Sequence, residues 1–185
     1  MASVRLNKQS RTVGDRVLGM RTGVRLLLIA LVVTSTIGCD RVTKHMATTL
    51  LADKPTQSFL ADSVRLEYAT NAGGFLSLGA DLSPGVRAAL FTVATGLFIV
   101  ALSIGLFRSR RSFWRSLGIA LLLAGGISNW IDRARSGVVV DFLNVGVGWL
   151  RTGIFNVADV AIMIGIAIFV VSELLARYTR EARRG

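Results

Sequence analysis

Long apolar segments alternate with short basic segments along this chain. Residues 88–107 form the clearest apolar segment, twenty residues without a charge, which is enough for a helix to cross a hydrocarbon core of roughly 30 Å. Residues 26–39 and 116–131 are also uncharged, and flanking side chains that reach towards the membrane surface can lengthen both. The pattern predicts three membrane-spanning helices in these segments.

A fourth apolar segment, residues 160–172, has only thirteen residues, or about 20 Å as a helix. It is too short to cross the membrane alone. We therefore expect its helix to include residues 155–159, which would place Asn156 and Asp159 at or just inside one membrane boundary.

The basic residues predict the orientation of these spans. Three clusters precede the first span, separate the second from the third, and follow the fourth; they are Arg5, Lys8, Arg11, Arg16, Arg21 and Arg25; Arg108, Arg110, Arg111 and Arg115; and Arg177, Arg180, Arg183 and Arg184. With four spans, all three clusters lie on one side of the membrane. Short loops rich in Lys and Arg stay in the cytoplasm, so both termini are expected there.

The predicted fold is therefore an all-α membrane protein with four transmembrane helices and both ends inside. Residues 1–23 form a basic cytoplasmic N-terminus, and residues 24–177 form the transmembrane domain. Its extracytoplasmic loops are expected at about 48–85 and 133–153, and residues 178–185 form a basic cytoplasmic tail.

Composition agrees with a membrane protein. Hydrophobic residues make up 52% of the chain and charged residues 18%, with a mean hydropathy of +0.56; soluble domains carry about 25% charged residues. The net charge of +11 could suggest nucleic-acid binding, but the charges flank apolar segments and form no stripe with aromatic residues. One cysteine and one histidine provide neither an intramolecular disulfide nor a metal cluster.

The first apolar segment has a competing interpretation as a cleaved secretory signal, because Gly38 and Cys39 follow a basic and then an apolar region. However, Asp40, Arg41 and Lys44 follow at helical spacing, which indicates that the helix continues. We therefore expect an uncleaved first span.

The unusual polar residues collect at the outer ends of the spans. Asp40 and Lys44 are four residues apart, so they can pair on one helix face, either as a stabilising ion pair or in a functional role. Residues 63–68 alternate polar and apolar side chains, which predicts a strand. The strand leads into Gly73 and Gly74, where a tight turn or the close approach of a peptide backbone is expected. His45, the only histidine, is expected at the interface.

Three carboxylates, Asp132, Asp141 and Asp159, fall at one membrane boundary, where ionisable residues are costly and are functional candidates. The sequence offers no Ser–His or Cys–His arrangement, so peptide hydrolysis would require a pair of carboxylates that share one proton.

Which two carboxylates pair is left open by the residues themselves. Asn129 precedes Asp132 by three residues as Asn156 precedes Asp159, which favours Asp132 with Asp159. On the other hand, Asp132 is adjacent to Arg133, a cation that would favour an ionised, structurally paired carboxylate. The apolar neighbours of Asp141 favour the shared-proton state, and so the pairing of Asp141 with Asp159.

Taken together, these segments resemble the lipoprotein signal peptidase (signal peptidase II) family, over residues 25–177. The matching motifs are DRVTK at 40–44, NAGGF at 71–75, AGGISNWIDR at 124–133, VVDF at 139–142 and FNVAD at 155–159. The departures from the family pattern are Arg41 in place of Gln, Ser128 in place of Gly and Gly74 in place of Ala.

The resemblance implies an aspartic endopeptidase of the bacterial cytoplasmic membrane with Asp141 and Asp159 as its catalytic dyad. The residues expected to line or support the site are Asp40, Lys44, Asn71, Gly73, Asn129, Asp132, Arg133 and Asn156. The implied substrates are prolipoproteins whose cysteine bears diacylglycerol, cleaved just before that cysteine and cradled by a small extracytoplasmic β-sheet. The resemblance also implies contact with membrane lipid and inhibition by cyclic peptides of the globomycin type, and it implies no metal or other cofactor.

Two other functions use the same residues. A small transporter or channel subunit would employ the carboxylates as a proton relay, although relay charges are usually spread along helices or near the midplane. A non-catalytic scaffold would tolerate replacement of Asp141.

Overall fold

The computed structural model describes residues 22–74, 78–108 and 112–182. The basic residues before position 22, the segment at Phe75, Arg110 and Arg111, and the last three residues lie outside this part of the chain. Expectations for the N-terminus and for the end of the tail therefore stay predictions.

The first helix, α1, extends over Thr22–Leu51 and is about 45 Å long. It contains the predicted first span and continues for three further turns beyond Cys39 without interruption, as Asp40, Arg41 and Lys44 indicated.

The second apolar segment forms three consecutive helical pieces: α2 at Pro84–Arg87, a π-helical stretch at Ala88–Ala94, and α3 at Thr95–Arg108. The carbonyl of Thr92, in the π-helical stretch, accepts the backbone N–H of Thr95 and also a hydrogen bond of 2.8 Å from the Trp130 indole.

Helix α4, Phe113–Ser136, lies against the other long helices and has the most buried residues. It ends at Gly137, which has a φ of +75° and donates its backbone N–H to the Arg133 carbonyl. Glycine adopts this left-handed conformation readily, so the ending is a common one for a helix.

Helix α5 covers Val157–Glu181. The expectation that it includes Phe155 and Asn156 is wrong, because Asn156 is the N-cap and Phe155 forms a β-bridge with Leu143. The helix gains its length at the other end, beyond Ser172. Asp159 nevertheless lies in its first turn.

In the described part of the chain, three helices are long and apolar enough to cross a membrane: Gly23–Leu51, Pro84–Ile104 and Val157–Glu181. Helix α4 is less apolar, since Asp132, Arg133 and Arg135 occupy its last turns, and its place as a fourth span stays a prediction.

The two segments expected on the outer side contribute strands to one antiparallel sheet of order β1-β2-β3-β4. The strands are β1 at Gln57–Phe59, β2 at Val64–Asn71, β3 at Val139–Val147 and β4 at Leu150–Arg151. The predicted strand at 63–68 is thus confirmed as part of β2. An irregularity in the pairing of β2 with β3 lies between Leu66 and Ala69, and beyond it Ala69 pairs with Asp141 and Asn71 with Val139.

Helices α4 and α5 approach each other closely at glycines. A Cβ atom at Gly118 would lie 2.8 Å from the Gly165 carbonyl oxygen, and one at Gly125 would lie 2.3 Å from the Ala158 carbonyl oxygen. Small residues allow such backbone contact between membrane helices. The contact at Gly125 fixes the start of α5, where Asp159 lies.

Candidate active site

Asp141 and Asp159 come from different elements and are both buried. Asp141 lies on β3 and is 2% exposed, whereas Asp159 lies in the first turn of α5 and is 9% exposed. Burial of two carboxylates is costly unless each is hydrogen-bonded, and amide side chains surround both.

The sequence FNVAD sets the position of Asp159 by a capping box. The side-chain oxygen of Asn156 accepts the backbone N–H of Asp159 at 2.9 Å, and Asp159 Oδ2 accepts the backbone N–H of Asn156 at 3.2 Å. These two bonds satisfy free amides at the start of the helix. They also hold the Asp159 carboxylate close to the N-cap residue.

Asn156 connects the two carboxylates. Its Nδ2 donates to Asp141 Oδ1 at 2.6 Å and to Asn129 Oδ1 at 3.2 Å. Asn129 Nδ2 in turn donates to Asp159 Oδ1 at 2.8 Å. The two aspartates, Asn129 and Asn156 therefore form one buried network between α4, α5 and β3.

Asn71, at the end of β2, completes the environment of Asp141. Its Nδ2 lies 3.1 Å from Asp141 Oδ2 and 3.0 Å from the Gly74 carbonyl, while its Oδ1 accepts the backbone N–H of Gly73. The Asn-Ala-Gly-Gly segment thus turns back directly beside the carboxylates.

Arg133 faces this turn instead of Asp132. It donates to the Gly73 carbonyl at 2.6 Å, and its guanidinium carbon lies 5.7 Å from the centre of the Phe91 ring. The guanidinium therefore ties the end of α4 to the turn after β2.

Asp132 is structurally paired as expected, but its cations come from α1 and the expected neighbour Arg133 is not among them. Arg41 lies 2.5 Å from Asp132 Oδ1 and Lys44 lies 2.8 Å from Oδ2. Lys44 also forms the expected pair with Asp40, at 2.7 Å. These contacts leave Asp132 outside the network of Asp141 and Asp159.

The environment of Asp141 changes its ionisation. Burial raises the pKa of Asp141 to about 6, and the charge of nearby Asp159 acts in the same direction, against hydrogen bonds from Asn71 and Asn156 and the charge of Lys44. A carboxyl group with such a pKa can hold a proton closer to neutral pH than an exposed one.

Two contributors were not selected as site residues from the sequence. Arg41 was noted for its helical spacing and, like Ser128, as a departure from the family pattern. In the structure Arg41 Nη2 donates to the Ser128 carbonyl at 2.8 Å, and Ser128 Oγ donates to Asp40 Oδ2 at 2.7 Å. Their shared contact could not be inferred from spacing, because they are 87 residues apart. His45 is exposed, and its place at the membrane interface stays a prediction.

Within residues 22–74, 78–108 and 112–182, no group of three or more His, Cys, Asp or Glu side chains could hold a metal ion. The chemistry offered by the described residues is that of two carboxylates among amides.

Comparisons with known proteins identify one family. A family model described as signal peptidase (SPase) II matches residues 31–175. A lipoprotein signal peptidase of Desulforapulum autotrophicum is 35% identical over 152 residues, which cover 81% of this chain and 91% of that protein. One from Enterococcus faecalis is 28% identical over 163 residues, 87% of this chain and 98% of that protein.

A solved structure of a bacterial membrane enzyme, determined by the in meso method at 2.3 Å resolution, has the same fold. It superposes with a TM-score of 0.66 and 26% identity, over 83% of this chain and 88% of that one. With its apolar helices, the chain is a multi-pass membrane protein. Because the family model matches well over half of its length, the chain belongs to the signal peptidase II family.

Proposed function

We propose that this protein is an aspartic endopeptidase that removes signal peptides from prolipoproteins, with Asp141 and Asp159 as its catalytic pair. The observation that carries the proposal is the position of Asn156, whose amide donates to Asp141 while its own backbone N–H and side-chain oxygen hold Asp159. Asn156 thereby holds two buried carboxylates from separate elements close together.

In the proposed reaction the two carboxylates hold one proton between them. The ionised carboxylate takes a proton from the attacking water, and the protonated one donates a hydrogen bond to the scissile carbonyl. Asp141 suits the protonated role, since burial raises its pKa to about 6. When the tetrahedral intermediate collapses, the carboxyl group that took the proton from water gives it to the leaving amine, and the peptide bond breaks.

We assign the turn at Gly73 and Gly74 to the substrate backbone. Asn71 and Arg133 hold this turn beside the carboxylates, and β2 leads directly into it. An extended peptide lying along the sheet would place its scissile bond at the end of β2.

The proposed substrate is a prolipoprotein whose cysteine carries diacylglycerol, cleaved just before that cysteine. A lipid-bearing substrate suits a site at the ends of membrane helices, because the acyl chains can stay in the bilayer. The full proposal places four spans in the bacterial cytoplasmic membrane, both termini inside, and the carboxylates at the extracytoplasmic boundary. It includes inhibition by globomycin-type cyclic peptides.

The test is cleavage of a diacylglyceryl-modified prolipoprotein by the purified protein in detergent, with Asp141→Asn and Asp159→Asn beside it. We expect the parent to cleave and each variant to lose cleavage while eluting as a folded protein in size-exclusion chromatography. Asp53→Asn is the matched control, since Asp53 is an exposed aspartate in the turn after α1, and it should cleave like the parent.

Retained cleavage in either dyad variant would overturn the assignment of the pair. A folded parent that cleaves no prolipoprotein would contradict the proposed function and favour a proton relay or a non-catalytic scaffold.

A further inference from the structure

Next to the proposed dyad lies a second group of ionisable residues, here called the α1–α4 cluster: Asp40, Arg41, Lys44 and Asp132. Asp40 is fully buried and Lys44 is 4% exposed. The cluster holds two carboxylates and two cations, so its formal charges cancel. Cancellation matters most around Asp40 and Lys44, where an uncompensated buried charge is expensive. Arg41 lies at the exposed edge of the cluster, with 31% of its side chain accessible.

The three donors of the Lys44 ammonium are all engaged. They contact Asp40 Oδ2 at 2.7 Å, Asp132 Oδ2 at 2.8 Å and Asn129 Oδ1 at 2.7 Å. The last contact fixes which way the Asn129 amide points, since an ammonium can bind only its oxygen. The Asn129 nitrogen is left to donate to Asp159 at 2.8 Å.

Arg41 supplies the second cation of the cluster. Among the described residues, Arg41 and Lys44 are the cations in salt-bridge contact with Asp132, and they take different carboxylate oxygens. The Arg41 guanidinium also donates to the Ser128 carbonyl, and this bond holds the side chain against α4. Without Arg41, Lys44 would face two carboxylates alone and the cluster would carry one net negative charge beside the dyad.

We propose that Arg41 is a positioning residue of the active site, which neutralises the α1–α4 cluster and thereby sets the pH range in which the aspartate pair holds its proton. This inference rests on the proposed function. Arg41 acts through Asp132, Lys44 and Asn129 and does not itself contact either member of the dyad.

The charged groups around the dyad come from α1 and α4, besides the dyad aspartates on β3 and α5. They are Asp40, Arg41 and Lys44 on α1, Asp132 and Arg133 on α4, and each dyad aspartate towards the other. In the sheet, Arg65 and Arg151 bind Asp62, and Glu67 binds Thr56. Among the described residues, no member of this helical set is hydrogen-bonded to a dyad aspartate. Lys44 binds Asn129, which donates to Asp159, whereas Arg41 bonds to Asp132 and Ser128 and can be removed without breaking a contact to Asn129.

The experiment follows the protonation of Asp141 by infrared spectroscopy, using the C=O stretch of the protonated carboxyl group in the full-length protein in detergent. Asp141→Asn provides the spectrum to subtract. This readout does not require activity, so a failed cleavage assay would contradict the proposed function while the infrared titration could still be measured. The pH–rate profile of prolipoprotein cleavage is measured in parallel.

Arg41→Gln removes one positive charge, which disfavours ionisation of the neighbouring carboxyl groups. We expect the Asp141 titration midpoint and the alkaline limb of the rate profile, where Asp141 loses its proton, to move to higher pH by roughly half a unit. This is less than the roughly one to three units by which an adjacent cation shifts a carboxyl pKa, because Arg41 does not contact Asp141. Arg41→Lys keeps the charge and should restore the parent midpoint.

Asp132→Asn should shift the Asp141 midpoint to lower pH, and the double variant Arg41→Gln with Asp132→Asn should return it towards the parent. A purely structural role predicts instead that the double variant is no closer to the parent than either single variant. Because the expected shifts of Arg41→Gln and Asp132→Asn have opposite signs, any two folded proteins among these two single variants and their double variant decide the question.

Arg65→Gln is the matched control, since it removes an arginine from an ion pair with Asp62 in the sheet and should leave the Asp141 midpoint unchanged. An unchanged midpoint in Arg41→Gln, or a double variant displaced further than both single variants, would overturn the inference.

Discussion

Asn156 and Asp141 are joined by a hydrogen bond of 2.6 Å from the amide Nδ2 to the carboxylate Oδ1. The same Asn156 is the N-cap of the helix that carries Asp159. One side chain thus begins a membrane helix and also holds the strand carboxylate against it, which gives a way to separate stability from catalysis.

Asn156→Ser should separate these two roles. Serine caps helices about as well as asparagine but has no amide to donate to Asp141. We expect the unfolding temperature to fall less than in Asn156→Ala, because the cap is kept and the amide's hydrogen bonds to Asp141 and Asn129 are lost. The cleavage rate should be lower by about tenfold or more.

Asn156→Ala is the comparison variant, because it removes the cap as well. It should lose about 1 kcal/mol of stability in addition to activity. Full activity in Asn156→Ser would show that the hydrogen bond to Asp141 is not needed for cleavage.

The stability of the protein should depend on pH through Asp141. The folded state raises its pKa from 3.8 to about 6, so the folded protein binds this proton more readily than the unfolded chain. The contribution of Asp141 to stability is therefore full below pH 4 and is lost as pH rises through 6.

The Asp141→Asn variant lacks the titrating carboxyl group, so its stability cannot show this dependence on pH. The unfolding temperature of Asp141→Asn minus that of the parent should increase between about pH 4 and 7 and then level off, whatever constant difference the substitution adds. A difference independent of pH, measured by thermal unfolding in detergent, would contradict the raised pKa.

The pair of Lys44 and Asp40 should be strongly coupled. Lys44→Met leaves the fully buried Asp40 carboxylate without its cation, and breaking a buried ion pair from one side costs about 3–5 kcal/mol. The double variant Asp40→Asn with Lys44→Met removes both charges and should recover a large part of that loss. Thermal unfolding of the parent, the two single variants and the double variant gives the coupling free energy as a double-mutant cycle. Additive losses of stability would contradict the coupling.

Two adjacent glycines of α4 provide a test of the helix contact. A methyl group at Gly125 would collide with the Ala158 carbonyl at 2.3 Å, whereas one at Gly126 would meet Ile99 at an ordinary 3.8 Å. Gly125→Ala should push the start of α5 away, lower the unfolding temperature and reduce cleavage, because Asp159 follows Ala158 directly. Gly126→Ala is the matched control and should resemble the parent; equal behaviour of the two variants would show that the close contact is unimportant.

Several features of this protein follow from short-range sequence patterns. The apolar segments predicted the long helices, and the alternation at 63–68 predicted β2, because burial in lipid or on one face of a sheet imposes a regular spacing on apolar residues. The polar residues at the helix ends were found for the same reason, since they interrupt that spacing. The exact start of α5 was missed because it depends on Asn156 as a cap and on the bridge from Phe155 to Leu143.

The partners of the carboxylates could not be read from spacing. Sequence reasoning left Asp132 and Asp141 as competing partners for Asp159, and it placed Arg133 beside Asp132. In the fold, Arg41 and Lys44 from α1 take Asp132, and the pairing of β3 with β2 brings Asp141 to Asn71.

The sequence by itself determined that the chain is a membrane protein, which segments are helical, and which polar residues gather at the helix ends. Only the tertiary structure decided how those residues are grouped: Asp141 with Asn156 and Asp159, and Asp132 with the cations of α1. The physical reason is that hydrophobic spacing is a local property of the chain. The contact between two side chains depends instead on how helices rotate and strands align across tens of residues.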